Sequence, residues 1–215
     1  EGQRAYGGEI FKLTEHSERL RRSAELLGFE IPWTVEQIDA ACRETLRAND
    51  LTDAYMRPLA WRGSEQMGVS AQRTRIHLAI ACWPWGAYFG DEAAAKGVRL
   101  DISHWRRPAP YTAPTASKAA GLYMICTLSR HAAQAKGYDD ALMFDWRGQV
   151  AEGTGANVFF VRNGSIHTPT PDCFLDGITR RTVIGLARRR GIEVVERAIW
   201  PEELEGFEQK FLTGS

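Results

Sequence analysis

The chain has 215 residues, 44% hydrophobic and 25% charged, which is enough for one large domain or two modest ones. Lysine plus arginine number 27 and aspartate plus glutamate also 27, so the formal charge is zero, which argues against nucleic acid or a membrane surface as a partner. Four scattered cysteines (Cys42, Cys82, Cys126 and Cys173), no C-x-x-C pair, no signal-peptide pattern and no apolar run of about 20 residues speak against a disulfide scaffold, a metal motif and a membrane span, so a cytoplasmic setting is expected.

Residues 13–27 read as an amphipathic helix with Thr14 as N-cap, Leu20, Ala24 and Leu27 on one stripe, and Gly28 as the stop. Residues 34–50 read as a second helix, opened by a Thr34-x-x-Gln37 capping box. The period then changes to two. Residues 54–61 place Tyr55, Arg57, Leu59 and Trp61 on one strand face, and residues 76–83 place Ile76, Leu78, Ile80 and Cys82 on one face of another. Residues 84–96, with Pro84, Gly86 and Gly90, read as a loop and domain boundary, separating a small domain at 1–83 from a larger one at 97–215.

A strand is expected at 98–103, then an extended stretch through Pro108, Pro110 and Pro114, then a long helix over 118–136 closed by Gly137. Residues 141–145 and 149–151 read as strands joined at Arg147-Gly148. Residues 158–162 and 165–168 flank Asn163-Gly164, the signal of a type I′ hairpin. A helix over 179–190 and a strand over 192–198 follow. Helices and strands mix without strict alternation, so the fold class is α/β of the α+β type.

Between Arg107 and Arg130 the one charged side chain is Lys118, in a chain with 5 lysines against 22 arginines. A lysine in apolar surroundings at a helix start loses ionisation free energy, and its amine becomes a candidate nucleophile for a Schiff base. A lysine that snorkels to solvent is the plainer alternative. Glu152, ahead of Gly153-Thr154-Gly155-Ala156-Asn157, is an acid at a glycine-rich turn; it could keep a pyridine nitrogen protonated or merely cap the turn. Leu175-Asp176-Gly177-Ile178-Thr179 leads a glycine turn into a helix, either an anion site or an ordinary N-cap by Asp176. Lysine, acid and phosphate cradle together point to pyridoxal phosphate.

The segments TASKAAGLY, VAEGTGAN, LDGITRRT, AYMRPLAWRG and HSERLRRSAELLGF resemble the branched-chain amino-acid aminotransferases, fold-type IV pyridoxal-phosphate enzymes of the class-IV aminotransferase family. The resemblance runs from Glu1-Gly2 to Thr213-Gly214-Ser215. It implies a small N-terminal α/β domain and a larger C-terminal domain joined by a loop, with further sequence at both ends. It implies that Lys118 forms the Schiff base, Glu152 pairs with the pyridine nitrogen, and Tyr123 bonds the phenolic oxygen. Arg19, Ile178, Thr179, Gly214 and Ser215 would bind the phosphate, with Leu175 against the ring. Gly2, Tyr55, Arg57, Trp85 and Tyr88 would line the substrate pocket. The Met67-Gly68-Val69 loop would reach a neighbouring subunit in a homodimer.

The implied reaction is transfer of the amino group of Leu, Ile or Val to 2-oxoglutarate, with no metal. D-amino-acid or amine transamination, or aminodeoxychorismate lyase chemistry, is the alternative on the same fold. An arginine-rich nucleic-acid binder using Arg106-Arg107 and Arg188-Arg189-Arg190 is opposed by the charge balance.

Overall fold

The computed structural model describes residues 1–86 and 96–214, and the expectations for Tyr88, Ser215 and most of the 84–96 loop lie outside the described residues. The chain divides into two units, Glu1–Tyr88 and Phe89–Ser215. In the first, β1 (Gln3–Tyr6), β2 (Glu9–Ile10), β3 (Ala54–Arg62) and β4 (Ile76–Trp83) form an antiparallel sheet in the order β2-β1-β3-β4. Helices α1 (Leu13–Leu26) and α2 (Val35–Ala48) cover one face. Leu20 and Ala24 from α1 and Ile38, Cys42 and Leu46 from α2 meet Ala5, Ala54 and Met56 of the sheet, with Leu78, Ile80 and Cys82 packed alongside. Strand alternation then sends Arg57, Leu59 and Trp61 to the opposite, exposed side.

Helix α2 starts as its sequence implies: Thr34 Oγ1 accepts from the Gln37 N–H, and the Gln37 side chain accepts from the Thr34 N–H. Helix α1 does not. Its N-cap is Lys12, in a left-handed conformation with φ of 54°, while Thr14 lies inside the helix and donates to Asp39 Oδ2 at 2.6 Å. Burying Leu13 pulls the first turn forward, and the Thr14 hydroxyl is used between helices instead.

The second unit holds two sheets. Strand β5 (Leu100–Arg107) runs parallel to β6 (Asp140–Asp145), which pairs antiparallel with β7 (Val150–Gly153). Strands β8 (Asn157–Arg162), β9 (Ser165–Pro169), β10 (Val194–Arg197) and β11 (Gln209–Thr213) form the other, in the order β10-β9-β8-β11. Leu142, Phe144, Val150, Val158, Phe160, Ile199 and Phe207 make one core across both. Asn163 and Gly164 both take positive φ, as the β8–β9 turn requires.

Helix α3 (Met124–Ala135) crosses from β5 to β6, and α4 (Ile178–Arg189) lies beside β10. The helix expected from residue 118 starts later. Tight turns hold 109–117, a 3-10 turn follows at Ala120–Tyr123, and α-helix begins only at Met124. Lys118 therefore lies in a loop, and the start of α3 is six residues further along the chain. The helix expected at 179–190 starts at Ile178, capped by Gly177 rather than Asp176. Asp176 is drawn away by ion pairs with Arg180 and Arg181.

Candidate active site

In the first unit, the outward face of β3 gathers an aromatic and cationic cluster. Antiparallel register sets Tyr55 opposite Trp83, with ring centroids 5.1 Å apart, and Trp85 meets Tyr55 edge-on at 4.6 Å. Arg57 Nη2 donates to the Tyr55 hydroxyl at 2.8 Å, which orients a guanidinium that otherwise faces solvent. Gly2 belongs to the same group: an added Cβ would collide with the Tyr55 hydroxyl. Trp83 was not singled out from the sequence. Its signal was its place at the end of β4, two residues before Trp85.

The other set of the first unit is built on Glu1. Arg19 on α1 grips this buried carboxylate through Nε at 3.0 Å and Nη2 at 2.7 Å, and His16 Nδ1 stands 3.0 Å away. Burial opposes the charge, but the bonds to His16 and Arg19 win and hold the Glu1 carboxyl far below the usual range. The fork fixes the Arg19 guanidinium while leaving Nη1 outside it.

In the second unit, Lys118 Nζ donates to the Tyr123 hydroxyl at 2.9 Å. The 3-10 turn between them folds the two side chains onto one another. Glu152, one residue from the end of β7, is mostly buried, with 13% of its side chain exposed. Burial raises its carboxyl to about 7, against opposing pulls from the Arg107 guanidinium and from Lys118. Arg107 Nε stands 3.3 Å from Glu152 Oε1 but makes no aligned hydrogen bond among the described residues. Its Nη1 reaches Cys126 Sγ at 3.4 Å and the Leu122 carbonyl at 3.5 Å. Sequence reasoning weighed Arg107 only beside Arg106, in the nucleic-acid reading that the charge balance opposes. A register shift in β5 between Ile102 and Arg106 accompanies its turn inward, and Arg107 is buried.

Asn157, the first residue of β8, donates through Nδ2 to Glu152 Oε2 at 3.3 Å and to the Leu175 carbonyl at 3.1 Å. Its Oδ1 lies so close to Gly177 that an added Cβ would collide with it. Gly177 caps α4 and has no side chain to offer the first-turn N–H groups, of which Ile178 and Thr179 carry two. Arg180, fully buried, pins this turn through Asp176 Oδ1 and Glu196 Oε2, each at 2.8 Å. Strand β11 ends with Thr213 paired to Asn157, and a Cβ on Gly214 would stand 3.2 Å from the Gly155 carbonyl. The acid, the amide, the helix start and the Thr213-Gly214 end thus meet in one place, with Lys118 near enough to act on the Glu152 charge.

The family profile described as amino-transferase class IV matches residues 1–215. A probable branched-chain-amino-acid aminotransferase of Rickettsia bellii is 43% identical over 215 residues, a match that takes in all of this chain and 73% of the relative. The crystal structure of the Escherichia coli branched-chain amino acid aminotransferase superposes with a TM-score of 0.96 at 38% identity, covering all of this chain and 72% of that one. The branched-chain amino acid aminotransferase from Thermobaculum terrenum, in its PLP-containing holo-form, gives a TM-score of 0.89 at 33% identity and likewise covers all of this chain and 72% of that one.

Proposed function

The chain belongs to the class IV aminotransferases, and we propose that it passes the amino group of leucine, isoleucine or valine to 2-oxoglutarate, with Lys118 and Glu152 as its central residues. The cofactor of the family is pyridoxal 5′-phosphate. The second unit fits it on three counts: a buried carboxyl raised to about 7, a helix start capped by glycine, and a buried Thr213 hydroxyl without a hydrogen bond among the described residues. When bound, the cofactor supplies a carbon that takes the amino group and a ring that accepts electrons left at the substrate Cα.

Lys118 would hold the cofactor through Nζ; once the substrate amine displaces it, its free amine would take the proton from the substrate Cα and deliver it, on the same face, to the cofactor carbon that carries the nitrogen. Tyr123, bonded to Lys118 at 2.9 Å, keeps that amine aimed and donates to the phenolic oxygen. Glu152 keeps the ring nitrogen protonated. Leu175 packs on the ring, while Arg19, Ile178, Thr179, Gly214 and Ser215 hold the phosphate, for which helix N–H groups and a guanidinium are suited. Gly2, Tyr55, Arg57, Trp85 and Tyr88 receive the substrate side chain.

Two coarser features join this reading. Met67 and Val69 stand fully exposed in one loop, an arrangement that favours cover by a partner subunit in a homodimer. All four cysteines are free thiols, which suits the reducing cytoplasm, and among the described residues no helix is long and apolar enough to cross a membrane.

The observation that carries the reading is Glu152. A carboxyl this buried, with Arg107 close but unaligned, gains most from a cationic ring nitrogen beside it. Glu152→Gln keeps shape and hydrogen bonding but removes the charge, so kcat should fall at least about 100-fold with KM much less affected. Unchanged turnover would mean that Glu152 only shapes its loop.

A further inference from the structure

Asn157 stands at the first position of a strand, although asparagine is among the poorer strand formers. Its backbone is fixed by the ladder with Thr213, so its side chain starts from a set place. Both hydrogens of its one amide nitrogen are spent, on Glu152 Oε2 at 3.3 Å and on the Leu175 carbonyl at 3.1 Å. Its oxygen packs against Gly177, where any side chain would collide with it. Two chain segments, the β7 end and the 175–177 turn, therefore converge on one rigid, uncharged group. The bond from Asn157 is also the hydrogen bond that Glu152 accepts among the described residues, because Arg107 Nε faces it without alignment.

We propose that Asn157 is a positioning residue whose amide fixes the separation between the acid that serves the ring nitrogen and the turn that serves the phosphate. The inference rests on the reading of Glu152 and of the 175–179 turn given above. A flexible glutamate side chain held at one oxygen presents the other in a constant direction, and the Leu175 bond keeps the phosphate turn from drifting against it. No other common side chain of this size does both. Aspartate has the shape but no donors, and it would set a second carboxylate beside the first. Leucine would take this donor from both Glu152 Oε2 and the Leu175 carbonyl. Glutamine is one methylene too long for the space beside Gly177.

The test is a double-mutant cycle on cofactor affinity, read by absorbance titration of cofactor-free protein with pyridoxal 5′-phosphate. Wild type, Asn157→Asp, Glu152→Gln and the double variant are compared, with melting curves of each to establish folding. Asn157→Ser replaces Asn157→Asp throughout if the aspartate variant does not fold. Asn157→Asp should raise Kd at least about tenfold, the scale of one hydrogen bond to a charged group. The double variant should fall at least about fivefold short of the product of the single effects. The visible band of the bound cofactor should shift in Asn157→Asp in the same direction as in Glu152→Gln. Multiplying effects, or weaker binding with an unshifted band, would leave Asn157 a structural residue and overturn the proposal. A Glu152→Gln protein that binds cofactor as tightly as wild type and keeps its band would instead overturn the ring-acid reading beneath it.

Discussion

Burial lifts the Glu152 carboxyl to about 7 against the pulls of Arg107 and Lys118, whereas in the unfolded chain it titrates near 4.5. Between those values the cofactor-free folded protein holds a proton that the unfolded chain has lost. The contribution of this group to stability is therefore highest below about 4.5, declines as the pH rises to about 7, and stays flat beyond, a drop on the order of 3 kcal/mol. Glu152→Gln should flatten that segment, which chemical denaturation at pH 5 and pH 8 can read; an equal drop in both proteins would contradict the burial argument. Arg57 raises a question of specificity. The site must take an apolar branched chain in one half-reaction and a carboxylate-bearing chain in the other. A guanidinium propped on the Tyr55 hydroxyl can pair with the distal carboxylate, while Trp83, Trp85 and Tyr55 offer apolar surface. Arg57→Met should slow the half-reaction with glutamate or 2-oxoglutarate at least tenfold and largely spare that with leucine. Stopped-flow traces of the two would decide it, and equal losses would mark Arg57 as structural.

Elements follow the sequence most closely where their signals are local. The α2 capping box and the Asn163-Gly164 turn depend on residues within a few positions of each other, and both form as read. Thr34→Ala should cost about 1 kcal/mol in urea denaturation and leave turnover unchanged, since the cap lies outside the groups assigned to the chemistry. Strands β1 and β11 were not legible, because what makes them strands is remote: Gln3 pairs with Met56, and Gln209–Thr213 pairs with Asn157–Val161. The start of α1 escaped for another reason. Lys12 adopts a left-handed conformation that nothing in its neighbours announces. The same divide runs through the site. Lys118, Tyr123, Glu152 and the 175–179 turn stand in short motifs that can be read in place. Arg107 looked like half of a basic pair, and Asn157 like the tail of a glycine-rich turn. Their roles arise from contacts with residues up to 45 positions away, at Glu152, and 18 away, at Leu175.

At the scale of the whole molecule, the chain accounts for 73% of the length of its Rickettsia bellii relative, and its 27 basic residues balance its 27 acidic ones. Met67 and Val69 are the exposed apolar tips on which the homodimer reading rests. Replacing both with glutamate should raise the dimer dissociation constant at least about tenfold in sedimentation equilibrium while the melting curve stays cooperative. A dimer of unchanged affinity would place the interface elsewhere. The central claim, that this chain is a pyridoxal-phosphate transaminase working through Lys118, has a direct measurement. The protein loaded with cofactor is reduced with borohydride, digested and mapped, with a second portion given leucine before reduction. The account predicts a cofactor adduct on Lys118 in the first portion and its loss in the second, as leucine takes the lysine's place. An adduct on Lys12, Lys96, Lys136 or Lys210, or one on Lys118 that leucine leaves untouched, would contradict it.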